Sequence, residues 1–213
     1  GSVTLAQNDV RMTPDTPALT RARGVVQFSD SGFSLKDVHA QALGGAVQLE
    51  GGLQVLPANA ASSASALQMR GQGSASAEGL RQAPELGFLA QLAEHASGTA
   101  PYTLALTMRR GVPEIAVTTN LQGLAVNLPA PLGKAADSAL PMRYTTTLTP
   151  ESLPPDAPLH EDITLDAGAL GSVRYVRDIS TNTAKVLRGA IAVGLAAGEE
   201  APLPERGVAA NLH

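Results

Sequence analysis

The residues able to do chemistry are few and poorly placed for it. Four histidines, His39, His95, His160 and His213, stand tens of residues apart, and none lies in a His-x-Glu or His-x-x-x-His spacing that would turn two ligands onto one face. The triplet His160-Glu161-Asp162 is the one local acid–histidine cluster. Coming after Pro158, it reads as a solvated strand start rather than a metal or acid–base site. Glu94-His95 reads as the solvent side of a helix. No serine sits in Gly-x-Ser-x-Gly, so a strained turn presenting a nucleophile is unsupported. Gly71-Gln72-Gly73 lacks the third glycine and the helix that a dinucleotide site needs. The chain has no cysteine, which removes disulfides, thiolate metal sites and thiol nucleophiles together and suits an oxidising compartment. A net charge of −4, with both signs scattered, leaves no basic footprint for nucleic acid. The one basic pair, Arg109-Arg110, reads as a strand end. The expectation is a protein without catalytic residues, metal or cofactor.

Any function must then come from apolar surface and from the elements that present it. Aromatic residues make up only 3% of the chain and tryptophan is absent, so that surface is built from Leu, Val, Ile, Ala and Met. Most segments alternate apolar and polar residues with period two, the pattern of strands with one greasy face. Val3 and Leu5 begin it, and residues 19–28 continue it to the turn Ser29-Asp30-Ser31-Gly32 and a partner starting at Phe33. Residues 38–43 and 46–50 make a second hairpin about Gly44-Gly45, a dipeptide suited to the positive φ of a two-residue turn. Residues 53–56, a small-residue loop over 57–66 and a strand from Leu67 follow. The clearest hairpin alternates Tyr102, Leu104, Leu106 and Met108, turns at Arg110-Gly111, and returns through Ile115, Val117 and Thr119. Met142, Tyr144, Thr146 and Leu148 alternate next, then residues 163–166, 171–178 and 186–195, with 198–207 read as loop.

Only one region changes period. Ser76 is a plausible N-cap, and after Pro84 the residues Leu86, Leu89, Ala90 and Ala93 fall at helical spacing as far as Gly98. The predicted organisation is an N-terminal β-hairpin segment over 1–74, a short helical insertion over 75–99, and a second sheet segment over 100–213 continuing the same groove. The fold class is mostly β (α+β): an extended, strongly curled antiparallel sheet forming a groove or trough.

The least generic stretch lies at 119–134. Gly123 allows a turn or a close approach. Pro129 and Pro131 hold φ near −65° and press Leu128 and Ala130 into extended geometry, so the segment cannot continue a helix or a paired central strand. The result is a stiff apolar elbow carrying Leu128 and Leu132, closed by Gly133, with Lys134 as its only charge. That lysine reads as a solvated turn residue, with an anionic headgroup or a backbone carbonyl as possible partners.

The run TTNLQGLAVNLPAPLGKAA, with Pro141-Met142-Arg143 after it, resembles the YhdP family, large envelope proteins of Gram-negative bacteria in the AsmA-like superfamily. Arg23-Gly24-Val25-Val26-Gln27-Phe28, Gly32-Phe33-Ser34-Leu35 and Leu43-Gly44-Gly45-Ala46-Val47-Gln48-Leu49-Glu50-Gly51 are similar to the same family, so the likeness covers residues 20–145. It implies a periplasmic portion of an inner-membrane-anchored protein, a β-trough carrying phospholipid acyl chains between the inner and outer membranes. On that implication the groove is lined by Leu104, Leu106, Met108, Ile115, Val117, Tyr144, Leu148, Val173 and Val193. The elbow caps or bends it, and the helical insertion covers an edge or an end. The chain reads as an excised piece of a longer protein, because Gly1-Ser2 looks like a cleaved-tag scar and 208–213 ends without a closing feature. The rival reading is a sheet closed over its own side chains, serving as spacer or assembly platform. A carbohydrate-active sandwich is disfavoured by the scarcity of aromatic stacking surfaces.

Overall fold

The computed structural model describes residues 1–11, 16–54, 66–129, 132–181, 183–194 and 202–212. Its strands are β1 (Ser2–Val10), β2 (Leu19–Ser29), β3 (Gly32–Ala42), β4 (Gly45–Gln54), β5 (Ala66–Ser76), β6 (Ala96–Arg109), β7 (Val112–Thr119), β8 (Leu124–Val126), β9 (Met142–Leu148), β10 (His160–Asp166), β11 (Gly171–Asp178), β12 (Lys185–Val193) and β13 (Gly207–Leu212). Helices α1 (Ala77–Arg81) and α2 (Phe88–Leu92), with short 3-10 turns, separate β5 from β6. Hydrogen bonding joins β1 to β7 and β9 to β13 in sequence order, and β8 attaches to the start of β6. The product is one open, curled, mostly β sheet of 13 strands.

Hairpin connections make nearly every pairing antiparallel. The exception is β12–β13, which is parallel. Parallel neighbours need a crossover rather than a tight turn, and the thirteen residues between Val193 and Gly207 are enough for one. Leu203 of this crossover packs on Ala190 and Ala192. Alternation alone did not expose β13, because its residues Val208-Ala209-Ala210 carry little contrast between faces.

Two strands each merge segments that read as separate in the sequence. β3 runs unbroken through residues that read as two strands, because the register shift between Leu35 and Val38 absorbs one residue as a bulge. β4 likewise passes through Gly51-Gly52. Bulges fall at neighbouring places in β1, β2 and β3, where Gln7 (φ 66°), Arg21 (φ 52°) and Asp37 (φ 48°) take the left-handed conformation. Non-glycine residues enter this region at a cost, and local side chains take up backbone donors freed there. Asn8 Oδ1 accepts from Ala6 N at 2.8 Å, and Asp9 Oδ1 from Arg21 N at 3.0 Å. Gly51 (φ 109°) extends the line into β4, where a Cβ would lie 2.1 Å from the Gln68 carbonyl oxygen. Bulges bend strands and increase twist, so a row of them creases the sheet.

The helical insertion begins as its residues predict: Ser76 Oγ accepts from Gly79 N at 3.0 Å. It ends earlier, since Ala96 already belongs to β6. Ala77 and Leu80 pack with Ala96, Ala100, Leu121, Leu124 and Val126, forming a plug of small side chains where β5 ends and β6 begins.

Candidate apolar binding face

Directly paired residues of an antiparallel sheet share a face, so the register sorts every side chain. One row reads Leu104, Val117, Tyr144, Leu165, Val173, Ile191 across β6, β7, β9, β10, β11 and β12. The next reads Leu106, Ile115, Thr146, Ile163, Tyr175, Gly189. Nearer the strand ends Met108 pairs with Pro113, and Leu148 with Glu161, which pairs with Arg177. Val193 sits two residues beyond Ile191 and pairs with Gly171. Every residue expected to line the groove therefore stands on one face, the apolar one.

The face is not uniform. From β2 to β6 its side chains bury one another: Ala22, Val38, Ala40, Ala42, Val47 and Leu49 form one cluster, and Leu67, Met69 and Leu106 another. No described layer covers them, yet Leu49 and Leu106 are each only 5% exposed. Gly71 shows how. It lies on this face between Leu49 and Leu104, and a Cβ there would stand 2.8 Å from Leu49 Cδ2. A position without a side chain in the middle strand lets the side chains of its neighbours lean over it.

Beyond β6 the same face is mixed: Leu148 and Ile163 are 6% and 2% exposed, while one row stands half-open. Val117, Tyr144, Leu165, Val173 and Val193 are half-buried, and Ile191 is 40% exposed. Polar groups also enter. Thr146 is buried, and Glu161, 6% exposed, accepts from Arg177 Nε at 2.6 Å. The chain's three tyrosines, Tyr102, Tyr144 and Tyr175, all stand on this face. Burial pushes the pKa of each up, that of Tyr144 to about 12, with Tyr175 and Glu161 adding to the shift. Burial works against the Arg177 charge, but the hydrogen bond and field of Glu161 outweigh it, and the pKa ends above its ordinary value.

The triplet at 160–162 is thus a strand start but not a solvated one. Glu161 pairs with Arg177 on the apolar face, while Asp162 on the opposite face receives Arg174 Nη2 at 2.6 Å and Nε at 3.1 Å. These ion pairs were missed because their partners lie on another strand. The available signal was charge alternation in Arg174-Tyr175-Val176-Arg177 matching Glu161-Asp162. Glu94 and His95 are exposed, and no group able to hold a metal ion is found among the described residues.

The elbow folds back as a small hairpin at the helical end. Val126 N donates to Lys134 O at 2.8 Å and Lys134 N to Val126 O at 3.0 Å, while Gly133 N reaches Pro129 O at 3.3 Å. A Cβ on Gly133 would meet the Leu128 oxygen at 2.3 Å. Gly123 N donates to Ala136 O at 2.7 Å. Lys134 Nζ donates to Leu124 O at 2.8 Å and Ala135 O at 2.9 Å, so its partners are carbonyls. Leu128 is half-buried and Leu132 is 45% exposed; Pro131 lies outside the described residues. Of the basic pair, Arg109 Nε donates to Glu114 at 3.2 Å. Arg110 pins the β6–β7 turn to the β9–β10 connection by donating to the carbonyls of Ser152, Pro155 and Ala157.

A family model described as YhdP protein matches residues 1–213, the whole chain. No curated protein and no solved structure matches it.

Proposed function

The chain belongs to the YhdP family, and we propose that it is a segment of an envelope protein that shields phospholipid acyl chains from water as they pass between the inner and outer membranes. The observation that carries this reading is the half-open apolar row Val117, Tyr144, Leu165, Val173, Ile191, continuous across β7 to β12. Each methylene hidden from water contributes about 0.8 kcal/mol, so a continuous apolar strip lets a chain slide without a step at which its tail is exposed. No bond is made or broken, and no catalytic group is required. The protein acts as a periplasmic portion of an inner-membrane-anchored chain, with the membranes contacted by the rest of it. No helix among the described residues is long and apolar enough to cross a membrane. The helical insertion and the elbow, packed together at one end, close the strip there.

A second reading, a sheet closed on its own side chains and serving as spacer, is favoured by the mutual burial across β2 to β6. Native mass spectrometry with lipid extraction, on protein purified from a Gram-negative host, separates the two. Lipid adducts that decline in Val117→Asp and Val173→Asp, with circular dichroism unchanged, support the trough. A clean apo mass for the parent chain supports the spacer.

A further inference from the structure

The polar step in the apolar face assigns a second role to its C-terminal part. Across β2 to β7 the paired positions of this face, from Val26 and Leu35 to Ile115 and Val117, carry no charged side chain. One ion pair then appears, Glu161–Arg177, a single residue in from the end of the β10–β11 ladder and so at the rim of the face. Placing two charges here costs desolvation that aliphatic residues would avoid. The pair is also incomplete. Arg174, on the other face, grips Asp162 with two nitrogens. Arg177 offers Glu161 only Nε, which leaves Nη1 and Nη2 without a hydrogen bond among the described residues. Tyr175 stands two residues before Arg177 on the same face, and Tyr144 faces the same side two strands away; their hydroxyls likewise have no such partner and are not sealed away from solvent.

We propose that Arg177 Nη1 and Nη2, with the hydroxyls of Tyr144 and Tyr175, form a rim site for the phosphodiester of a glycerophospholipid whose chains lie along the Val117–Ile191 row. The proposal rests on the trough reading. A guanidinium end presents paired N–H donors matched to phosphate oxygens. Glu161 is a positioning residue: it fixes the guanidinium by its Nε edge and neutralises it while the site is empty. The tyrosines remain protonated at neutral pH and donate without adding charge.

The test compares retention of two lipids with identical chains, dioleoyl phosphatidylglycerol and dioleoylglycerol, by native mass spectrometry after loading from detergent. The parent chain is expected to hold the phospholipid about tenfold better, a preference of charge-assisted hydrogen bonding. Glu161→Gln with Arg177→Gln, changed together so that no ion is left unpaired, levels the two lipids and leaves dioleoylglycerol retention as it was. Tyr144→Phe with Tyr175→Phe keeps the rings and narrows the preference severalfold, a second readout should the charge-pair variant misfold. Equal retention of both lipids by the parent chain overturns the rim site and leaves the trough standing. Retention of neither overturns the trough, and the rim site with it. Binding of inorganic phosphate with no preference between the lipids assigns the site to a soluble anion and overturns its role toward lipid.

Discussion

Across β2 to β6 the apolar face carries mostly alanine, valine, leucine and methionine, with Phe28, Phe33 and Tyr102 among them; across β9 to β12 Leu148, Ile163, Leu165, Val173 and Ile191 are mixed with Tyr144, Thr146, Glu161, Tyr175 and Arg177. The first region buries Val38, Val47, Leu49, Met69 and Leu106 against one another, and the missing side chain at Gly71 leaves room for its neighbours to close over it, while Phe28 at the edge stays 48% exposed. The second buries Thr146, Leu148, Glu161 and Ile163 but leaves the row Val117, Tyr144, Leu165, Val173, Ile191 half-open. One sheet, continuous in hydrogen bonding, thus joins a more filled portion to one with a half-open row. The binding capacity proposed above belongs to the second.

The largest effect that tests this contrast comes from placing a charge on each side of it. Leu106→Asp buries a carboxylate among Leu67, Met69 and Ile115, and is expected to cost about 4 kcal/mol or to prevent folding. Val117→Asp, on the neighbouring strand but half-exposed, is expected to cost about 1–2 kcal/mol. Equal shifts of the urea midpoint would remove the distinction.

Next in size is the ion pair. Glu161→Ala strands Arg177, and with that side chain 36% exposed the loss is expected at about 2–3 kcal/mol. Glu161→Gln together with Arg177→Gln should cost less than about 1 kcal/mol, and a double-mutant cycle on denaturation midpoints reads the difference. Truncation gives a smaller separation of the same kind: Leu49→Ala is expected to lose about 2–3 kcal/mol and Val173→Ala about 1 kcal/mol.

Alkaline pH gives a graded probe. The pKa of Tyr144 is raised by burial to about 12, above its unfolded value, so its contribution is complete below the unfolded pKa and is lost as pH rises through the folded one. The C-terminal region is expected to loosen between about pH 10 and pH 12. Tyrosinate absorbance followed alongside circular dichroism detects this, and Tyr144→Phe should remove most of it. The smallest effect is at the elbow: Leu132→Asp, at an exposed position, should change stability by no more than about 0.5 kcal/mol. A larger loss there would show that the elbow is covered.

The strands were largely legible because period-two alternation is a local property: Tyr102 to Met108 and Ile115 to Thr119 show their buried face directly. Ser76 signalled its helix start in the same way. Two kinds of feature were not legible. Bulges hide in sequence because an extra residue such as Asp37 resembles a break in the pattern, so β3 looked like two strands. Residues of mixed character, such as Val208-Ala209-Ala210, contain too little contrast to mark β13. In the candidate site, Leu104, Val117, Tyr144 and Val173 could be named from alternation, but whether they shared a face depended on register. Glu161 looked solvated because its partner lies on the neighbouring strand.

What the residues alone determined is the chemistry absent from this protein's composition and the general architecture: no thiol, no paired histidines, hairpin-linked strands with one aliphatic face, and an elbow stiffened by proline. Tertiary structure decided how that face is used. Pairing across strands set Arg177 beside Glu161, aligned the bulges of β1 to β3 into a crease, and placed Gly71 where the side chains of β4 and β6 can lean over it. Alternation specifies which residues of a strand share a side, but a shift of one residue between strands would exchange the two faces. Contacts distant in sequence are settled only when the whole sheet forms, and those contacts separate the more filled portion of the face from its half-open row.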